Sequence, residues 1–165
     1  TSHTDTAGYT EDGRIHAEML LRINKKFITA KQLLPQPIIN INSPKSKIGI
    51  INFGSTTVAL NEAIDKLSSQ GIGVNHLRIR AFPFSEGIRN FIETHDFVFI
   101  LEQNRDAQMK TLLISEEQIE PKKLISLLNF DGMPLTSNFI VDGMQQAIHD
   151  NKNIKKSISP PIKIV

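Results

Sequence analysis

No cysteine occurs anywhere in this sequence. That excludes a disulfide framework, a thiolate metal site and an iron–sulfur cluster held in the usual way by this chain, and it fits a reducing compartment, so a cytoplasmic location is the expectation. Long apolar runs are missing too: none approaches the roughly 20 residues a membrane helix needs, and the N-terminus lacks the charged-then-apolar pattern of a signal peptide. Neither charge dominates, with 19 basic against 17 acidic residues. The small basic surplus sits in Lys25, Lys26, Lys31, Lys45, Lys47 and the tail lysines Lys152, Lys155, Lys156 and Lys163, around the core and not in an aromatic-interleaved stripe. Neither a membrane nor nucleic acid is therefore an expected partner.

Catalytic signatures are equally sparse. There is no internal repeat, no complete P-loop, no G-x-G-x-x-G and no serine in a recognisable elbow beside a histidine, so no nucleophile–base pair can be assigned. His3 and Asp5 are metal-type ligands without a third at a clear spacing. No catalytic residue and no metal ligand is expected on this chain.

What is present is a foldable core. An apolar fraction of 39% in 165 residues suits one domain with an appended segment. The chain starts with Thr1, not Met, which fits the expectation of a piece of something longer. After a polar stretch through Gly13, the residues Ile15, Met19, Leu20, Ile23 and Phe27 recur at helical spacing, giving a helix with one apolar face that needs a partner surface. Pro35 and Pro37 end it and stiffen an extended connection through Pro44.

Residues 47–53 then read as a core strand, followed by Gly54-Ser55-Thr56-Thr57 and a helix marked by Leu60, Ala63, Ile64 and Leu67, with Gly71 just past its end. Such a turn at a helix start can hold a phosphate or carboxylate, or can simply be helix capping by Ser55 or Thr56. A second strand spans 73–80 and carries Arg78 and Arg80 on one side, placed to bind an anion or to lie over the surface. Ser85 is positioned to cap a short helix with Ile88, Phe91 and Ile92 inward.

The run Phe97-Val98-Phe99-Ile100-Leu101 breaks abruptly into Glu102, Gln103 and Asn104. It reads as a strand buried on both faces whose polar end lies where open parallel sheets place their sites. A helix containing Met109, Leu112 and Leu113, an apolar run at 124–128, a turn in which Gly132 takes the left-handed conformation, and a last helix begun by Thr136 or Ser137 complete the domain. A flexible tail is expected from Asn151.

Together these residues match a family. Gly49-Ile50-Ile51-Asn52-Phe53-Gly54-Ser55-Thr56, His76-Leu77-Arg78 with Phe82-Pro83-Phe84, Leu101-Glu102-Gln103-Asn104-Arg105-Asp106-Ala107-Gln108, and Asn129-Phe130-Asp131-Gly132-Met133-Pro134-Leu135-Thr136 resemble the C-terminal domain of the α subunit of 2-oxoacid:ferredoxin oxidoreductases, most like the 2-oxoglutarate type. The segment Thr1 to Asp12 resembles the link from the thiamine-pyrimidine domain.

The resemblance implies a transketolase C-terminal-like α/β domain: a three-layer α/β/α sandwich around a five-stranded, mostly parallel sheet. Its expected bounds are 45–150, after a linker with one helix at 1–44 and before a tail at 151–165. It further implies an oligomeric holoenzyme that oxidatively decarboxylates a 2-oxoacid to an acyl-coenzyme A, with thiamine diphosphate, magnesium, iron–sulfur clusters and ferredoxin. None of these cofactors is expected to be bound by this chain alone, which should be inactive in isolation. Its expected partners are the thiamine-binding domain of the same subunit and a β subunit. Gly54, Ser55, Thr56, Arg78, Glu102, Gln103, Asn104 and Gln108 are the candidate ligand or interface residues, with Glu102, Asn104 and Gln108 hydrogen bonding across a contact and Gly54 with Ser55 admitting close backbone approach. Two alternatives stand beside this: a free-standing domain that binds an anion, nucleotide or coenzyme A at the Gly54 turn, and a related transketolase or 2-oxoacid dehydrogenase subunit.

Overall fold

Isoleucine, valine and phenylalanine on both faces of a strand demand a helical layer on each side, and that is the architecture built here. The computed structural model describes residues 2–151; the expected tail and its lysines beyond Asn151 lie outside the described residues. In chain order come a two-stranded antiparallel ribbon of β1 (Ser2–His3) and β2 (Tyr9–Thr10), then α1 (Gly13–Leu33), β3 (Ile38–Asn40), β4 (Ile48–Phe53), α2 (Thr57–Ser69), β5 (Asn75–Ile79), α3 (Glu86–Glu93), β6 (Phe97–Glu102), α4 (Gln108–Glu117), β7 (Leu124–Leu128) and α5 (Ser137–Asp150).

The main sheet has the order β3-β5-β4-β6-β7, parallel except for β3, which pairs antiparallel with β5. The expected five-stranded, mostly parallel sheet is therefore present. Alternate residues of each central strand feed separate cores. Ile48 and Ile50 of β4 with Phe99 and Leu101 of β6 join α2 and α5. Ile51, Val98 and Ile100 join α3 and α4 on the other face.

Two local readings change. Residues 38–40, expected within an extended connection, form the edge strand of the main sheet, because their partner β5 supplies the pairing. Ser85 stands at the N-cap of α3, but its hydroxyl makes no cap bond and has no hydrogen-bond partner among the described residues. Thr136 does cap α5, accepting from the Phe139 amide at 3.2 Å, and Gly132 takes the left-handed conformation at φ 83°. Among the described residues no helix is long and apolar enough to cross a membrane.

Candidate functional site at the carboxyl edge of the sheet

The chain leaves β4 toward β5 through α2, and leaves the adjacent β6 toward β7 through α4. The connections diverge between the ends of β4 and β6, which is the crevice where open α/β sheets carry their sites. Two of the candidate residues meet across it: Ser55, beyond β4, donates its hydroxyl to Oε1 of Gln103, beyond β6, at 3.3 Å. Gln103 separates two open clefts. One, of about 440 Å³, lies against Ser55, Thr56, Val58 and Pro134. The other, of about 390 Å³, is lined by Phe53, Asn104, Gln108 and Met109.

The remaining candidates divide by what their side chains do. Glu102 is fully buried. Its carboxylate accepts the Met109 amide at 2.7 Å, the Lys110 amide at 3.1 Å and Asn104 Nδ2 at 2.8 Å. Asn104 Oδ1 in turn accepts the amides of Asp106 and Gln108, and Thr111 closes the turn onto the Ala107 carbonyl. The first amides of α4 are thus all engaged, and the expected role of Glu102 as an outward contact is replaced by an inward one: it holds the helix to the strand that precedes it.

Thr56 is also buried, and its hydroxyl donates to the Phe53 carbonyl at 2.9 Å without capping α2. Neither Ser55 nor Thr56 supplies the expected cap. Gly54 is needed for its φ of 65° and not for close approach, since a Cβ there would meet nothing within 4 Å. Arg78 donates to the Gly54 carbonyl at 3.4 Å, which ties β5 to the same turn. Exposed at this edge are Gln103, Ser55 and Gln108, with exposed Val58 and Glu62 beside Ser55 and Gln103 in the first cleft. Exposed neutral polar groups beside apolar Val58, Phe53 and Met109 suit a contact surface, and no acid–base pair lies among those polar groups.

Sequence patterning gave no sign of the network beneath this edge. The Thr56 and Thr57 hydroxyls spend their hydrogens on the Phe53 and Gly54 carbonyls, so both accept from Asn52 Nδ2, at 2.9 and 3.0 Å. That orients Asn52 Oδ1 toward His76 Nε2, 2.7 Å away. His76 must then carry its hydrogen on Nε2 and accept at Nδ1 from Asn40 Nδ2 at 3.4 Å. It is a neutral, satisfied imidazole in the core. Burial, assisted by the charge of Arg78, lowers its pKa. His95 is likewise buried and neutral, bonded to the Phe91 carbonyl and Asn75, and its pKa is lowered by burial, against a raising effect of the Phe91 carbonyl.

Both imidazoles take a proton less readily in the fold than in the unfolded chain, whose ordinary value is 6.5. Below that value the unfolded chain binds protons that the folded chain refuses, so the stability present above it is lost as pH falls toward the folded values. Thermal melts between about pH 5 and about pH 8 should show the melting temperature falling on the acid side, with a shallower fall in His95→Gln; a profile identical to that of the parent would refute the assignment. Glu117 works in the opposite sense: burial raises its pKa, so its contribution is largest at low pH and declines as pH rises through its folded value.

No protein-family model matches the chain. The α subunit of 2-oxoacid:ferredoxin oxidoreductase 2 of Aeropyrum pernix is 26% identical over 138 residues, 81% of this chain and 21% of that protein. The 2-oxoacid:ferredoxin oxidoreductase α subunit of Saccharolobus solfataricus is 28% identical over 128 residues, 75% of this chain and 20% of that protein. The chain is a homologue of 2-oxoacid:ferredoxin oxidoreductase α subunits. It spans about a fifth of their length.

Solved structures agree on the fold. The 2-oxoglutarate:ferredoxin oxidoreductase of Magnetococcus marinus, solved with 2-oxoglutarate, coenzyme A and succinyl-CoA, superposes with a TM-score of 0.77 at 22% identity, covering 88% of this chain and 25% of that one. A split-gene transketolase, as an inactive β4 tetramer, superposes at 0.52 with 17% identity over 68% of this chain and 41% of its own. The α-subunit homologue therefore has a transketolase C-terminal-like fold.

Proposed function

We propose that this chain is the non-catalytic C-terminal domain of the α subunit of a thiamine-dependent 2-oxoacid:ferredoxin oxidoreductase of the 2-oxoglutarate type, and that its work is assembly. The observation that carries this is α1. Not one of its 21 residues is buried, yet Leu20, Leu21, Ile23, Phe27, Ile28 and Leu33 are 40–79% exposed. The helix touches the body through the Phe27 ring, edge-on to Phe82 at 6.3 Å, and through Lys31, 3.9 Å from Glu117. An apolar face of this extent is the mark of a surface covered by a neighbour.

Ser55, Gln103, Asn104 and Gln108 at the carboxyl edge supply a second, polar contact in this reading. The neighbours are the thiamine-binding domain of the same subunit and a β subunit, and electrons leave the whole assembly to ferredoxin. The chain's own donors do not suit the holoenzyme's metals: among the described residues no three His, Asp or Glu side chains cluster to hold one, and there is no cysteine for a cluster. In this reading thiamine diphosphate, magnesium and the iron–sulfur clusters sit elsewhere in the assembly, with coenzyme A acting there as acyl acceptor; for the clusters the lack of cysteine supports it.

Mixing the chain with the thiamine-binding domain should give a complex by light scattering at high micromolar concentration. Leu21→Glu with Ile28→Glu should weaken it about a hundredfold, two large apolar contacts being lost, while the melting temperature of the free chain stays near that of the parent because both side chains are mostly exposed, at 69% and 60%. No association of the parent chain would overturn the proposal.

A further inference from the structure

On the α2 side of the sheet, α2 and α5 cover β4 and β6 but leave the β5–β3 edge open, and a groove of about 350 Å³ remains between α2 and that edge. We propose that this groove binds a neutral, polyhydroxylated ligand, a sugar or cyclitol. The proposal stands apart from the assembly reading and uses none of its residues.

The groove's walls are fixed from below. Asn40 is held by the buried imidazole of His76, and the Ser43 amide by buried Asn75 Oδ1 at 2.9 Å. Ser46 donates to the Gly73 carbonyl at 2.6 Å. A Cβ on Gly73 would collide with Ser43 Oγ, so the two loops meet with no slack. Above this fixed floor, hydrogen-bonding capacity is left over. The side chains of Asn42, Asn61, Asp65 and Ser68 all line the groove and make no hydrogen bond or ion pair with the described residues. Asn61, Asp65 and Ser68 sit at i, i+4 and i+7 of α2, one stripe on one face. Half-buried Ile64 adds a small aliphatic surface to the lining, while Val74 is buried and offers almost none.

The lining decides the ligand class by what it can pair with. It contains no lysine or arginine, and its one charged group is the Asp65 carboxylate, so phosphates and carboxylates are repelled. It has no exposed aromatic ring for a planar base to stack on, since His76 is buried with both nitrogens engaged. One carboxylate does not make a metal site. Amides that both donate and accept, a carboxylate able to accept from two adjacent hydroxyls, and the small aliphatic surface of Ile64 for a ring's C–H face fit a neutral polyol.

The test uses the 15N-labelled full chain, titrated with myo-inositol and with methyl β-D-glucopyranoside and followed by two-dimensional amide NMR. Saturable shifts with one or both, confined to residues 40–43, 61–68 and 73–76 and with a dissociation constant near about 1 mM, are expected. Asp65→Ala, a change at an exposed position, should leave the rest of the spectrum and the melting temperature unchanged and weaken binding by roughly tenfold. Absence of saturable shifts with both polyols, shifts unaltered in Asp65→Ala, or saturable binding of inorganic phosphate at the same residues would each overturn the proposal.

Discussion

Glu102→Ala should lower the unfolding free energy by about 3 kcal/mol, the cost of removing a buried acceptor from several donors at once. The side chain is completely buried and accepts from two backbone amides of α4 and from Asn104. Removing it leaves those part-buried donors without their acceptor, and takes a negative charge from the positive end of a helix. Asn104, which holds the next two amides through its Oδ1, would lose the contact that orients it, so the loop from β6 to α4 should loosen as a unit. For a chain of this size a melting temperature lower by roughly 6–12 °C is expected. Glu102→Gln keeps the shape and one acceptor oxygen but points an amide at donors, and should lie between. The measurement separates two roles for the residue: a contact across a subunit boundary would leave the isolated chain's melt untouched and weaken only association. A parent-like melt for Glu102→Ala would discard the capping account.

Why the sequence led outward at Glu102 and the structure leads inward is a matter of range. An apolar strand ending in Glu-Gln-Asn signals a change of environment, and Gln103 does emerge at the crevice. The partners of Glu102, however, lie seven and eight residues on, brought back by a loop that passes through the left-handed Ala107 at φ 50°, which no periodicity reveals. The same holds for His76 and Asn52, 24 residues apart and bonded side by side across β5 and β4. Patterns of period two and near four did show the order of strands and helices, because burial on both faces of β4 and β6 leaves a continuous apolar run and one-sided burial of α2 and α5 leaves a stripe. The apolar face of α1 was legible as one needing a partner, and it is still uncovered in the folded chain. β3 was legible only as extended, since three exposed residues after two prolines carry no strand signal without β5 beside them.

Gly49→Ala is the second large effect, and it tests how rigidly the α3 face is assembled. Gly49 is the second residue of β4, paired between Asn75 of β5 and Val98 of β6, where a larger residue would ordinarily be favoured. A Cβ added there would stand 2.8 Å from Phe91 Cε1 and 3.0 Å from Cζ, closer than packed carbons tolerate. The ring has little room to retreat. It is almost fully buried, and its other neighbour is the His95 imidazole at 4.3 Å between centroids. That imidazole is pinned at both nitrogens, by the Phe91 carbonyl and by Asn75. One methyl group is therefore expected to cost about 2 kcal/mol through overpacking, read as a melting temperature lower by roughly 4–8 °C. Shrinking the obstacle should recover part of the loss: Gly49→Ala combined with Phe91→Leu should be at least about 1 kcal/mol more stable than the sum of the two single effects, as coupled neighbours are. Strict additivity would mean that the strand yields and the ring does not, and would place the slack in β4.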